Sequence, residues 1–242
     1  MKCIKTILFI YLLFHSMLFN SQNNLSHGQK VNDILEMGLK GNVKHIKSYV
    51  YFKTDLDDWS KRYDNNILSE KEYFFNEDGN IFKVIQYETV ESYTYTFKFE
   101  NGIKKSYKKS QNSNDSLIES GKFAWVNNKT YRRTSTTNNG IVHEYYFHLN
   151  KNNRIDSGSV VKYNKKGKKI LEGSYVDVYK DNIFREVLYK NFYIEKDKQT
   201  TYTEIIGNRK YDDYHNLIEF TAKKNNSDTY QLHVKEISYN EK

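Results

Sequence analysis

The chain contains no proline and a single cysteine, and alanine occurs only at Ala124 and Ala222. Average proline usage is about 5%, so the gap is a real departure. Lys, Asn, Tyr and Ile, all heavily used here, have AT-rich codons, whereas Pro and Ala have GC-rich ones. A low-GC genome accounts for the bias, so these gaps by themselves exclude no function. The lone Cys3 excludes more. It rules out an intramolecular disulfide framework and Cys-based zinc spacings. It also precedes the first apolar run, on the wrong side for a lipid-modified cysteine. That run, Ile7 to Phe19, is broken by His15 and Ser16. A bilayer-spanning helix needs roughly 20 predominantly apolar residues.

Catalytic signatures are missing too. There is no HExxH, no G-x-S-x-G elbow and no phosphate-cradling G-x-x-x-x-G-K, which removes zincins, α/β-hydrolases and P-loop enzymes from consideration. No catalytic, cofactor-binding or metal-binding residue is expected.

What the chain does have begins with a leader. Lys2 and Lys5 precede the apolar run, and Asn20, Ser21 and Gln22 follow it. That order is the pattern of a secretory signal peptide. The expected organisation is a signal over residues 1–21 and one all-β domain over 22–242, exported to the periplasm, the outer surface or the medium. Removing the leader removes Cys3, and the mature fold then rests on core packing alone. It also lowers the net charge from +8 to +6. This moderate excess is spread along the chain, and no nucleic-acid role is expected.

Residues Gln29–Leu39 are the one helix candidate, with Val31, Ile34 and Leu35 at helical spacing and Gly38 and Gly41 to end it. From Asn42 onward the period is two. In Ser92–Glu100, Tyr93, Tyr95, Phe97 and Phe99 fall on one face and Thr94, Thr96 and Lys98 on the other, the alternation of a half-buried strand. Ile141–Leu149 repeats it. Looser strands are expected at Ile81–Thr89, Lys129–Thr137, Gly158–Tyr163, Ile183–Ile194, Gln199–Ile206 and Asp228–Tyr239. Asp78-Gly79, Asn101-Gly102 and Asn139-Gly140 are hairpin signals. Asn127-Asn128, Asn152-Asn153, Lys166-Gly167, Asp181-Asn182 and Gly207-Asn208 are weaker ones, and Gln111–Asp115 reads as a longer polar loop. Strands this close in sequence pair as an antiparallel meander. The expected fold class is all-β, a curved or rolled sheet forming an open barrel or a sandwich-like body, with one short N-terminal helix.

A loose repeat runs through the meander. Tyr73-Phe-Phe-Asn-Glu-Asp-Gly79-Asn80-Ile81 is echoed by Phe97-Lys-Phe-Glu-Asn-Gly102-Ile103, by Tyr163-Asn-Lys-Lys-Gly167-Lys-Lys-Ile170 and by Tyr211-Asp-Asp-Tyr-His-Asn216-Leu217-Ile218. Each is an aromatic strand end, a polar turn and an aliphatic restart. On these residues the sequence resembles the YD-repeat (RHS-like) secreted β-proteins, whose units read roughly Y-D-x-x-G-N-L. Leu39-Lys-Gly41-Asn-Val43-Lys-His-Ile46 is similar to the start of small exported Bacteroidetes proteins of unknown function. Tyr211-Asp212 alone keeps the Tyr-Asp pair, and Asn216 stands where the glycine is expected. Large members of the family wrap strands into a shell around cargo, and this chain is too short for that.

The remaining candidates are weak. Asp55, Asp57 and Asp58 form an acidic cluster without the glycine and terminal glutamate of a calcium loop. His143 and His148 fall on opposite faces of one strand and cannot share a metal. Glu144, Glu172 and Glu186 are the carboxylates from which a glycosidase pair would have to come. A membrane barrel would need an outward apolar band, yet polar residues occupy both faces, so no membrane span is expected once the leader is removed. Trp59, Trp125 and tyrosines such as Tyr145 are candidates for a sugar-stacking surface. Lys165, Lys166 and Lys168 are candidates for an anion-binding one. The expected function is a non-enzymatic, exported β-protein presenting a binding or structural surface to an envelope component, a protein or an acidic glycan. A small hydrolase with a site assembled across strands, and a ligand-holding barrel, are the alternatives.

Overall fold

The computed structural model describes residues 32–53, 67–88, 90–180, 183–194, 197–225 and 227–241. The leader, the Asp55–Trp59 segment and the Asp181-Asn182 turn lie outside the described residues.

Among the described residues, one helical turn, α1 (Asp33–Glu36), precedes fourteen strands: β1 (Val43–Lys53), β2 (Ile67–Phe75), β3 (Ile81–Tyr87), β4 (Ser92–Glu100), β5 (Ile103–Gln111), β6 (Leu117–Asn127), β7 (Thr130–Thr137), β8 (Val142–Leu149), β9 (Ile155–Tyr163), β10 (Lys169–Lys180), β11 (Ile183–Tyr193), β12 (Lys198–Tyr211), β13 (Leu217–Lys224) and β14 (Tyr230–Tyr239). Each strand pairs antiparallel with its sequence neighbours, and β1 pairs with β14, so the meander closes into a barrel. Closure removes the sheet edges that an open meander would expose.

The turn chemistry explains the connections. Asn101 and Gly102 both take positive φ (52° and 73°), the two-residue geometry that matches strand twist. Gly79, Gly140, Asn153 and Gly167 occupy left-handed positions in their turns. Gln111–Asp115 proves to be a short hairpin turn between β5 and β6, with Asp115 at φ 55°. Gly207-Asn208 is not a turn. It is a register break inside β12, where pairing with β13 skips from Gly207 to Lys210. The helix is also shorter than its spacing suggested. Asn32 caps Asp33–Glu36 by accepting from Leu35 N. Gly38 then takes φ 66° and Leu39 N turns back to bond Ile34 O at 2.9 Å.

The two faces of the wall differ sharply. Cross-strand partners share a face, so the register sorts them. Tyr95, Phe97, Tyr107, Gly121 and Ser135 face the lumen. So do Phe123, Arg133 and Tyr145, and Trp125, Tyr131 and Phe147. The rings stack around the inner wall, with centroids 5.8 Å apart for Tyr107–Phe123 and 4.9 Å for Tyr131–Phe147. The outward rows over the same strands read Thr96–Lys108–Ser120–Thr136 and Lys98–Ser106–Lys122–Thr134. Elsewhere the outward face turns apolar: Tyr51, Leu232 and Val234 form a buried strip at the closing seam, and Val176, Leu188 and Ile205 are exposed on β10, β11 and β12.

Gly121 marks where the inner wall is tightest. A Cβ there would lie 2.2 Å from Tyr107 Cε1 and 3.0 Å from the Thr134 carbonyl oxygen. Tyr107 is 3% exposed and donates to Glu119, so its ring has little room to retreat. Gly121→Val is therefore expected to destabilise the barrel by roughly 1–3 kcal/mol, read as a lowered melting temperature. Ala124→Val, at an exposed position of the same strand, should leave that temperature within experimental error.

A barrel of about eight strands is filled by its own side chains, whereas 16–18 strands leave a channel. Fourteen strands leave room, and the N-terminal strap (residues 32–42) occupies part of it at one mouth. Asp33 Oδ2 accepts from Ile81 N at 2.7 Å, and Asp33 Oδ1 pairs with Lys104 at 2.5 Å. Glu36 accepts from the Tyr131 hydroxyl at 3.0 Å. Asn216 bonds both backbone groups of Lys40. The strap thus spans from the β2–β3 turn to the β12–β13 turn. Ile34 and Leu39 bury against Val43, Ile46, Phe75, Ile81 and Val84, each contributing about 1.5–3 kcal/mol if fully buried.

Candidate functional site

Beneath the strap lies a cavity of about 650 Å³, lined by Leu35, Met37, Gly38, Leu39, Lys40, Asn150, Lys151, Asn152, Arg154, Tyr179, Phe184, Tyr211, His215, Leu217, Phe220 and Lys235. Its volume falls inside the roughly 300–1,000 Å³ of small-molecule sites. The strap forms one side. The β8–β9 and β12–β13 turns form the rim, and residues of β10, β11, β12, β13 and β14 form the wall.

The aromatic residues meet because antiparallel neighbours bring them together. Tyr179 pairs with Phe184 across a bulge, with ring centroids 5.4 Å apart. Phe184 meets Phe220 edge-on at 6.3 Å, and Phe220 stacks on His233 at 4.5 Å with 5° between planes. Together they make a continuous apolar platform on one wall.

The charged groups are cations. Arg154 lies over the Tyr179 ring, 4.8 Å from its centroid. Burial, and then the neighbouring Arg154, push the Lys235 ammonium down to about 8. Burial and Lys235 together push His233 down to about 4, so it is neutral at neutral pH, and its Nε2 has no hydrogen-bond partner. Deeper on the inner wall, burial raises Asp177 to about 6, against the opposing pull of Arg154 and a hydrogen bond from Tyr179. Among the described residues no carboxylate lines the cavity itself.

A second polar group sits elsewhere on the inner wall. Tyr107 donates to Glu119, Ser135 pairs across strands with His143, and Arg133 lies 4.0 Å from the Tyr145 ring centroid. Ser135, His143 and Glu119 are residue types of a hydrolase triad. Among the described residues, however, no hydrogen bond joins His143 to either partner, and a nucleophile needs its base within reach.

The residues singled out from the sequence are scattered. Trp125 and Tyr145 point into the lumen, where Trp125 meets Tyr131 edge-on at 5.4 Å. Trp59 lies outside the described residues. Lys165, Lys166 and Lys168 occupy the exposed β9–β10 turn, at the opposite end of the barrel from the cavity. The lysine-rich β5 is divided between faces: Lys104 reaches Asp33 and Lys109 lies over Tyr93 at 4.2 Å, while Lys108 points outward. Glu144 and Glu172 both face outward, joined through Val161. Glu186 faces outward beside Val178. These three cannot flank a substrate in the lumen. Among the described residues no cluster of three His, Cys, Asp or Glu could hold a metal ion.

The cavity residues that sequence reasoning missed are Arg154, Tyr179, Phe184, Phe220 and Lys235. Alternation alone could have placed Phe220 and Lys235 on inner faces. Nothing in the sequence signals that turns far apart along the chain converge around them.

No protein-family model matches the chain, and no curated protein matches it. Among solved structures it is similar to a porin-like protein from Bacteroides uniformis, with 9% identity and a TM-score of 0.44 over 81% of this chain and 96% of that one. Those values are too low to transfer fold or function. The class of this protein, a closed antiparallel β-barrel, rests on its own strand pairing. No helix among the described residues is long and apolar enough to cross a membrane, a fact that says nothing of the strands.

Proposed function

We propose that this is an exported, non-enzymatic barrel, one domain over residues 22–242, that holds a small molecule in the cavity beneath its strap. The observation that carries this reading is the cavity itself, an apolar platform with a few convergent polar groups. The distribution of residues over the wall supports it. Membrane barrels put their apolar band outside and polar residues inside, whereas over β4–β7 the rings crowd the lumen and Lys, Ser and Thr cover the outside. Such a wall suits water on its outer face and an organic guest within. The likeness to YD-repeat proteins is in keeping with an exported setting.

The outward Lys98, Lys108 and Lys122, set among Ser and Thr hydroxyls in a shallow groove, favour a second reading, docking of an acidic envelope glycan on the outer wall. One experiment separates the two. The uncharged fluorophore N-phenyl-1-naphthylamine should bind the mature protein with one site per chain. Phe220→Ala, which removes the centre of the platform, should weaken that binding at least tenfold while circular dichroism stays unchanged. If the wild-type protein leaves the fluorophore dark but is retained on an immobilised acidic polysaccharide, the second reading replaces the first.

A further inference from the structure

We infer that the molecule held in the cavity carries an anionic head, seated on Lys235 and Arg154, and an apolar or aromatic body laid along Phe184 and Phe220; this rests on the ligand-holding reading above. Lys235 sits on β14 with its side chain directed into the barrel, and among the described residues its ammonium makes no hydrogen bond or ion pair. Burying an ammonium without a partner is costly. The neighbouring charge makes matters worse, because Arg154 acts on Lys235 as a second cation.

The surroundings offer no relief. Among the described residues no Asp or Glu lines the cavity, while Lys40 and Lys151 add two more cations to its lining. His233, two residues before Lys235 on β14, is neutral at pH 7 and supplies no negative charge. Asp177 is coupled to Arg154, but it is not among the groups acting on Lys235. Two cations therefore converge on one volume with no carboxylate among its described lining residues, an arrangement that an anionic ligand would complete. Arg presents a planar fork suited to carboxylate or phosphate and Lys a compact charge, so the head fits a carboxylate, sulfonate or phosphate. The body is set by what lies next to the cations. Tyr179 is already covered by Arg154, which leaves the Phe184–Phe220 edge-on pair as the surface for rings or an acyl chain.

A matched pair of fluorophores tests this. 1-Anilinonaphthalene-8-sulfonate and N-phenyl-1-naphthylamine share one aromatic body and differ by the sulfonate. At pH 7 the sulfonate should bind the mature protein at least tenfold more tightly than the neutral compound. Lys235→Met should bring the two within about twofold by weakening the sulfonate alone, and Lys235→Arg should restore the preference. Equal binding of both compounds to the wild-type protein overturns the anionic class while leaving the ligand-holding reading intact. A preference that survives in Lys235→Met overturns the assignment to Lys235. If neither compound binds, the ligand-holding reading itself fails.

Discussion

Asn216→Gly should lower the melting temperature of the protein by about 5–10 °C. Asn216 is 2% exposed. Its side chain accepts from Lys40 N at 2.7 Å and donates to Lys40 O at 3.0 Å and to the Tyr239 hydroxyl at 2.7 Å. It therefore ties the β12–β13 turn to the strap and to the last strand at once. Removing the amide strands several partly buried groups, each costing about 1–3 kcal/mol if left unpaired, and a glycine adds backbone entropy to the unfolded chain. Water reaching Lys40 offsets part of this, which leaves a loss of roughly 2–3 kcal/mol. A chain of this size loses about 2–4 °C per kcal/mol. Asn216→Ala should show most of the same effect, since the amide and not the backbone conformation is at issue: the positive φ in this turn belongs to His215. If the glycine variant melts with the wild-type protein, the strap is not held by this contact.

The same residue shows where the sequence was legible and where it was not. The turn itself could be read from Tyr211-Asp212 and the following polar run. Asp212 accepts from Tyr214 N and Asn216 N, local bonds that short polar side chains make by themselves. The departure from glycine read only as a degenerate repeat, because the partners that justify it are far away in sequence. Strand positions were legible for a similar reason. The alternation in Ser92–Glu100 is a local property, and β4 spans those same residues. Closure was not, because pairing of β1 with β14 depends on the summed curvature of every hairpin between them. The cavity was least legible of all. Arg154 comes from a turn, Tyr179 and Phe184 from either side of a hairpin, and Lys235 from the final strand. Individually each looks like an ordinary turn cation, core ring or strand lysine. Aromatic alternation marked the strands, but nothing local showed that Trp125 and Tyr145 face inward, where rings pack on rings.

The second large effect is expected at Glu36 and depends on pH. Burial, and then the nearby Asp33, raise its carboxyl from 4.5 to about 7, against Lys104 and the Tyr131 hydrogen bond. A carboxyl raised in the folded state holds its proton where the unfolded chain has lost it, so stability falls as pH climbs from 4.5 through 7. A tenfold change in proton affinity corresponds to about 1.4 kcal/mol, and the side chain is only partly shielded from solvent, so we expect a penalty of about 1–3 kcal/mol above pH 7. Glu36→Gln keeps the shape and an oxygen for the Tyr131 hydroxyl but cannot ionise. It should therefore raise the melting temperature by several degrees at pH 8 and leave it unchanged at pH 4.5. The wild-type curve alone would hide this. Asp177, raised to about 6, acts in the same direction between pH 3.8 and 6, whereas His233, lowered from 6.5 to about 4, gains stability over much of that window as pH rises. Subtracting the wild-type from the variant melting temperature at each pH cancels both and isolates Glu36. A difference that stays flat from pH 4.5 to 8 would sink the assignment. A difference that grows with pH would mean that the strap roofing the cavity is held less firmly in mildly alkaline surroundings than in acidic ones, because the carboxylate that anchors it to Tyr131 is then charged and buried beside Asp33.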